Sequence, residues 1–335
     1  MIEINFRERM PLSAYAAKTS NRELLKMSSS GGVFTELATN IINAGGVVFG
    51  AAWDDKFNVI HKGVDTLEGL SELRGSKYVQ SDLRDSISLI KRMLVKGRKV
   101  MFTGTPCQCA AVRLACGEDR NLLVCGLICH SNIPSDVWQK YLSELKCLAK
   151  DKIKAIQFRD KRNGWERSTF SVKFERRGEL IACPLFEDIY AKIFFAGLAA
   201  RNSCLSCKFK KGAHGADLVI GDFWGVRKTN PDLYDPDGVS VVLLYTKTGE
   251  QALCKSSLTY FKVSYDDIVS CNPYLERALD VEMRDRERFQ NSWRRMSLQK
   301  AYLYAIEGPL ITRITRRVYN KVMRVRWRIA QMFDG

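Results

Sequence analysis

The stretch Lys99-Val100-Met101-Phe102-Thr103-Gly104-Thr105-Pro106-Cys107 decides the fold. An apolar, β-prone run ends at a glycine, and a proline then stands where the first turn of a helix tolerates a missing N–H. A helical segment predicted from about Asp82 to Lys96 leads into it through Gly97, and Leu122-Leu123-Val124-Cys125 follows as another buried strand. Strand, helix, strand in this rhythm predicts an α/β fold with a mainly parallel sheet. Upstream, Ser28-Ser29-Ser30-Gly31-Gly32 opens an apolar-periodic helix through Ile42, with serine as the expected N-cap and Gly45-Gly46 as the stop. Residues 47–53 read as a strand, with 58–61 pairing to it after a turn at Asp54-Asp55.

The second half reads differently. Residues 156–159 and 169–174 alternate apolar and polar side chains around Asn163-Gly164-Trp165, which predicts mixed and antiparallel strands. Residues 217–222 form a buried strand ending in an acid, and 239–245 one more apolar strand. Beyond Tyr274 the composition turns charged and helical. The expected division is a polar, aperiodic lead-in over 1–27, an α/β region over 28–150, a mixed region with a C-x-x-C loop over 151–273, and a helical basic tail over 274–335.

Composition narrows the function classes. The chain has 335 residues, 46% of them apolar, enough for a substantial core. No basic-then-apolar leader opens it and no apolar run approaches the ~18 residues of a membrane span, so a cytoplasmic protein is expected. Eleven cysteines then read as reduced thiols or metal ligands. The net charge of +16 is unevenly placed: Arg313 to Arg328 holds seven cations and no acid. Ile311, Ile314, Val318, Val322, Val325 and Ile329 recur there at helical spacing, so a basic amphipathic helix is expected. It serves either as a packed terminal helix or as a peripheral contact with the inner face of the membrane, helped by Trp327. No stacking motif or recognition helix points to nucleic acid.

Four cysteines carry the strongest chemical signal. Cys107 stands where a strand gives way to a helix, the usual ligand edge of an open α/β sheet, and Cys129 lies just past the next strand. Cys204-Leu205-Ser206-Cys207 sits in a basic loop, and a C-x-x-C turn can place two thiolates on one ion. Together they make a four-sulfur set suited to zinc or an iron–sulfur cluster. Free cysteine is more often a small buried hydrophobe; the loop contexts favour ligands here. A thioredoxin-type pair is the rival for Cys204 and Cys207, but its flanking strand and helix are missing. Cys109, Cys116, Cys125, Cys147, Cys183, Cys254 and Cys271 lie in apolar or helical surroundings and read as structural. Ser28 to Gly32 is a candidate phosphate cradle, though an ordinary helix cap has the same look. Arg74-Gly75-Ser76-Lys77-Tyr78 offers cations and a ring to a nucleotide, and Gly221-Asp222-Phe223-Trp224-Gly225 could flank a planar ring. No catalytic residue is assigned.

In order along the chain stand S-S-G-G, R-G-S-K-Y, T-G-T-P-C-Q, C-H-x-x-x-P-S-x-x-W, F-R-D-K-x-x-G-W, C-x-x-C-x-F and A-D-x-x-x-G-D-F-W-G. This series resembles the coenzyme F420 hydrogenase/dehydrogenase beta-subunit family from about Ser28 to Gly225. The resemblance implies an FAD-binding α/β oxidoreductase with one [4Fe–4S] cluster beside the flavin. It maps the cluster onto Cys107, Cys129, Cys204 and Cys207, and FAD contacts onto Ser29, Gly31, Gly32, Lys77, Thr103, Thr105 and Asp222. No cysteine precedes Cys107, so the ferredoxin-like module of many relatives is not expected, and a separate ferredoxin-like carrier or redox partner is. Ser131 replaces the glycine usual after the Cys-His pair. Lys208, Lys210 and Lys211 beside the C-x-x-C would steer an acidic partner. Compact bacterial relatives look like redox components of surface-polysaccharide pathways. The alternative is a four-cysteine zinc scaffold without redox activity.

Overall fold

Residues 6–308 are described by a computed structural model, an α/β fold built on two sheets. The strands are β1 (Ser13–Thr19), β2 (Val47–Trp53), β3 (Val59–Val64), β4 (Val100–Gly104), β5 (Leu122–Leu127), β6 (Ile153–Asp160), β7 (Thr169–Phe174), β8 (Gly178–Pro184), β9 (Leu218–Asp222), β10 (Ser240–Leu244) and β11 (Leu258–Lys262). Eight of them form one sheet in the order β11-β1-β10-β9-β5-β4-β2-β3. Its centre, β9-β5-β4-β2, is parallel, and both flanks run antiparallel. The parallel block is therefore real but bounded. Strands β6, β7 and β8 make a separate antiparallel sheet.

The central strands are apolar throughout because both faces are covered. Val100 and Phe102 enter one core with Ile90, Cys109 and Val112, while Met101 between them enters the other with Val33, Leu37 and Leu253. Leu122 and Val124 alternate with Leu123 and Cys125 in the same way. Helices Ser86–Val95 and Pro106–Cys116 thus cover one face, and helices Val33–Asn43 and Lys247–Cys254 the other. A third core lies over the small sheet, where Phe158, Phe170, Val172 and Phe174 meet Trp138, Tyr141 and Leu145 of helix Ser135–Ala149. Helices Met283–Ser292 and Leu298–Glu307 close it through Phe289, Leu298 and Ala301.

Three local readings change. The expected lead-in holds β1, which lies inside the large sheet between β10 and β11, and a short helix, Arg22–Met27. Its alanines, Ala14, Ala16 and Ala17, hide the strand from propensity; burial between neighbours overrides it. The N-cap of helix Val33–Asn43 is Gly32 in the left-handed region (φ 83°), not a serine. Each serine hydroxyl is used elsewhere: Ser28 donates to Leu24 O, Ser29 bonds Ser76, and Ser30 donates to Val239 O. Strands β8 and β11, both edges with exposed residues, carry no periodic signal. The basic stretch 313–328 lies outside the described residues. Among the described residues no helix is long and apolar enough to cross a membrane.

One buried pair ties the parallel block together. Asp217, just before β9, accepts from Val124 N–H (2.8 Å), the Arg113 guanidinium (2.8 Å) and the Thr246 hydroxyl (2.8 Å). Removing one member of such a pair strands a charge in the core. Asp217→Ala should lower stability by about 3–5 kcal/mol in urea denaturation, and Arg113→Met with Asp217→Leu together should cost less than the single change.

Candidate functional site

Strands β4, β5 and β9 end side by side, and their C-terminal edge opens into a cavity of about 850 Å³. That volume lies inside the ~300–1,000 Å³ usual for ligand pockets, and the edge is where open α/β sheets bind ligands. From β4 come Thr103 and Gly104, followed by Thr105 at the helix start. There the chain turns because Thr105 and Gln108 form a reciprocal capping box ahead of Pro106. Past β5 come Ile128, Cys129 and His130, and past β9 come Asp222 and Trp224.

Of the residues expected from sequence, Ser29, Gly32, Lys77, Thr103, Thr105 and Asp222 all line this cavity. Gly31 does not. It is pressed behind the wall, its N–H donating to Ser240 Oγ (2.9 Å), and an added Cβ would stand 2.3 Å from Ala17 O. Lys77 turns its ammonium onto the carbonyls of Arg74 (2.9 Å) and Gly75 (3.2 Å), and burial lowers its pKa to about 8. Thr103 Oγ1 is buried with no nitrogen or oxygen partner, and its one polar neighbour is the soft Cys125 sulfur. An orphaned hydroxyl in a cavity wall costs about 1–3 kcal/mol and fits a ligand that would satisfy it.

Asp222 is the centre of a buried array. Arg159 of β6 grips it with two bonds (3.0 and 3.1 Å), and Trp165 Nε1 adds a third (2.6 Å). The guanidinium lies over the Trp224 ring (4.9 Å), which stacks on Trp165 with 2° between planes and centroids 5.0 Å apart. Arg159 also reaches Ser29 O (3.4 Å). Next to it Lys161 donates to the carbonyls of Leu25, Ser30 and Asp237, and burial, then Arg159, lowers its pKa to about 8. Neither Arg159 nor Lys161 drew attention in the sequence, although both stand in the F-R-D-K-x-x-G-W segment; a cation reads as surface until its partners are seen.

The four cysteines gather at the other end. Cys129 borders the cavity, Cys107 is exposed, and Cys204 and Cys207 are half-buried. Burial pushes the Cys129 thiol up to about 12; the Lys210 ammonium opposes this, and the sulfurs of Cys107, Cys204 and Cys207 add to it. All three other sulfurs therefore act on Cys129. Arg201 N–H bonds Asn132 O (3.1 Å), fastening the C-x-x-C loop to the Cys129 loop. Thr105 Oγ1 lies 3.3 Å from Cys107 Sγ. Among the described residues no three Cys, His, Asp or Glu side chains stand in ion-holding geometry. The donor set is nevertheless soft and electrostatically coupled, which suits a thiophilic metal once protons leave. Lys210 does not face solvent as a steering charge: it is buried, while Lys208 and Lys211 are exposed.

The comparisons with known proteins agree with this architecture. Residues 97–264 match the family model for the C terminus of the coenzyme F420 hydrogenase/dehydrogenase beta subunit. The matched span is half of the chain, and the chain belongs to this oxidoreductase family. Its fold is similar to one chain in the structure of the F420-reducing [NiFe] hydrogenase complex from Methanosarcina barkeri, with a TM-score of 0.53 and 20% identity over 87% of this chain and 97% of that one. No curated protein matches the sequence significantly.

Both His61 and His214 are buried and held neutral. His61 bonds Ser81 Oγ (2.6 Å) and Thr103 O (3.0 Å), and His214 accepts from Ala216 N–H (3.1 Å). Burial lowers each pKa from 6.5 to about 4, with Arg9 adding to the effect at His214. The unfolded chain takes up protons that the folded one refuses, so stability is intact above pH 6.5 and falls as pH drops toward 4. The expected loss is on the order of 1–3 kcal/mol per histidine. Urea midpoints across that range should fall less steeply in a His61→Gln, His214→Gln double variant.

Proposed function

We propose that the chain is an iron–sulfur flavoprotein oxidoreductase that exchanges electrons between a hydride donor or acceptor, of deazaflavin or related type, and a one-electron carrier such as a ferredoxin. The observation that carries this reading is a ligand-sized strand-end cavity bordered by Cys129, with the C-x-x-C loop fastened to the Cys129 loop by Arg201 N–H on Asn132 O. FAD in the cavity would supply two-electron hydride chemistry, and a [4Fe–4S] cluster on Cys107, Cys129, Cys204 and Cys207 would supply one-electron transfer.

The chain's own residues have separable tasks. Thr103 would offer its hydroxyl to a flavin bound there, and Ser29 with Ser76 presents a polar rim at the N-terminal end of the Val33–Asn43 helix. Asp222 acts through its neighbours: with its oxygens taken by Arg159 and Trp165, it fixes the wall rather than binding the ligand directly. His130, with Phe194 (5.1 Å), Phe195 (5.9 Å) and Tyr274 (4.4 Å) around it, makes the end near Cys129 aromatic. Exposed Lys208 would attract an acidic partner, whereas Lys211 is paired with Glu8 (3.4 Å).

Anaerobic purification followed by visible spectroscopy and joint flavin, iron and zinc analysis tests the proposal. Flavin bands over a broad iron–sulfur shoulder, with about four irons per chain, are expected. Zinc without flavin would establish a scaffold instead. A finer check is Thr103→Val, which removes the orphaned hydroxyl while keeping its shape. FAD affinity should fall about 5- to 10-fold, and the flavin-free protein should be no less stable than the unaltered one.

A further inference from the structure

Lys210 follows Cys207 by one turn of chain, in a run of lysines that composition alone assigns to the surface. Its side chain instead runs inward, 9% exposed, and its ammonium donates to Cys129 O (2.6 Å) and Tyr274 O (2.7 Å). The Tyr274 ring lies 5.9 Å away under the same charge. The backbone around it is pinned. Lys210 O accepts from Ala213 N–H (3.0 Å), Lys211 N–H donates to Leu275 O (2.9 Å), and Lys211 O accepts from Arg9 N–H (2.9 Å). Gly212 has φ 76°, and an added Cβ there would stand 2.1 Å from Arg9 O. No carboxylate pairs with the Lys210 ammonium among the hydrogen bonds and ion pairs of the described residues. A buried cation in this state costs free energy unless something negative is close.

We infer that Lys210 is a positioning residue of the four-cysteine site, holding the Cys129 loop against the C-x-x-C loop and supplying the positive charge that a set of four thiolates requires. This rests on the metal-binding part of the reading above, but not on which metal is bound. Three geometric observations converge on it. The bond to Cys129 O fixes the loop that carries the deepest of the four cysteines. Lys210 is a buried cation beside that loop, with a sign opposite to that of thiolates. The bond to Tyr274 O joins the same ammonium to the aromatic end of the cavity. Outer contacts of this kind orient metal ligands and set the net charge of the centre.

The test compares Lys210→Met, Lys210→Gln and Lys210→Arg with the unaltered full chain. Reduced, metal-free protein is titrated with Co(II), read from the thiolate-to-metal absorption band, and the folded state of each variant is checked by circular dichroism. Lys210→Met and Lys210→Gln should bind Co(II) about 10- to 100-fold more weakly, and Lys210→Arg should recover most of the loss. In protein carrying an iron–sulfur cluster, the midpoint potential of the Met and Gln variants should move to more negative values, since the reduced centre carries the extra negative charge. Unchanged Co(II) affinity and potential in a folded Lys210→Met protein would overturn the inference, as would failure of all three variants to fold. A Lys210-dependent Co(II) site in a protein that never holds iron or flavin would sustain it while rejecting the redox reading. An unaltered chain that binds neither metal would reject both.

Discussion

At the cavity the two sheets are joined by an ion pair. Arg159 belongs to β6 of the small sheet, Asp222 ends β9 in the large one, and the bidentate contact between them forms part of the cavity wall. A buried pair of this sort contributes little net stability, because both charges lose their water. Its value lies in direction. The planar guanidinium fork accepts one orientation, and together with the Trp53–Phe158 stack and the Trp165–Trp224 stack beside it, it restricts how the small sheet docks. The cavity's shape depends on that docking, since Ser168 and Glu166 reach its wall from the β6–β7 connection.

Around this contact the protein uses cations in an unusual way. Lys77, Lys161 and Lys210 each turn inward and spend their protons on main-chain carbonyls of loops that border the site. Loops normally lack partners for such carbonyls. An ammonium with three donors can gather two or three of them at once, which makes a loop as fixed as a strand end. Lys161 alone joins the segments around Leu25, Ser30 and Asp237. Part of the chain's large positive charge therefore belongs to its interior architecture, not to a surface field.

The parallel centre of the sheet was legible because strands buried on both faces read as unbroken apolar runs, as at 100–104 and 122–127. Edge strands β8 and β11 were not, since a strand covered on one side by solvent carries mixed side chains. Nor was β1, whose alanines become strand-forming only between β10 and β11. The four cysteines stood out by spacing and loop context. What spacing could not convey was the depth of each residue. Asp222 lines the cavity and also accepts from Arg159 and Trp165; Lys210 looked like a surface charge and is buried. Burial is set by the tertiary packing of distant segments, and no local window contains it.

The order in which the cysteines occur along the chain has its own consequence. Cys107 and Cys129 sit at neighbouring strand ends, but the whole of the small sheet β6–β8 is threaded between Cys129 and Cys204. Bringing Cys204 and Cys207 to the others closes a long loop, which is entropically unfavourable until β6 to β8 have folded and docked. The sulfurs thus become neighbours late. Any ion that took all four thiols would therefore need β6 to β8 folded first.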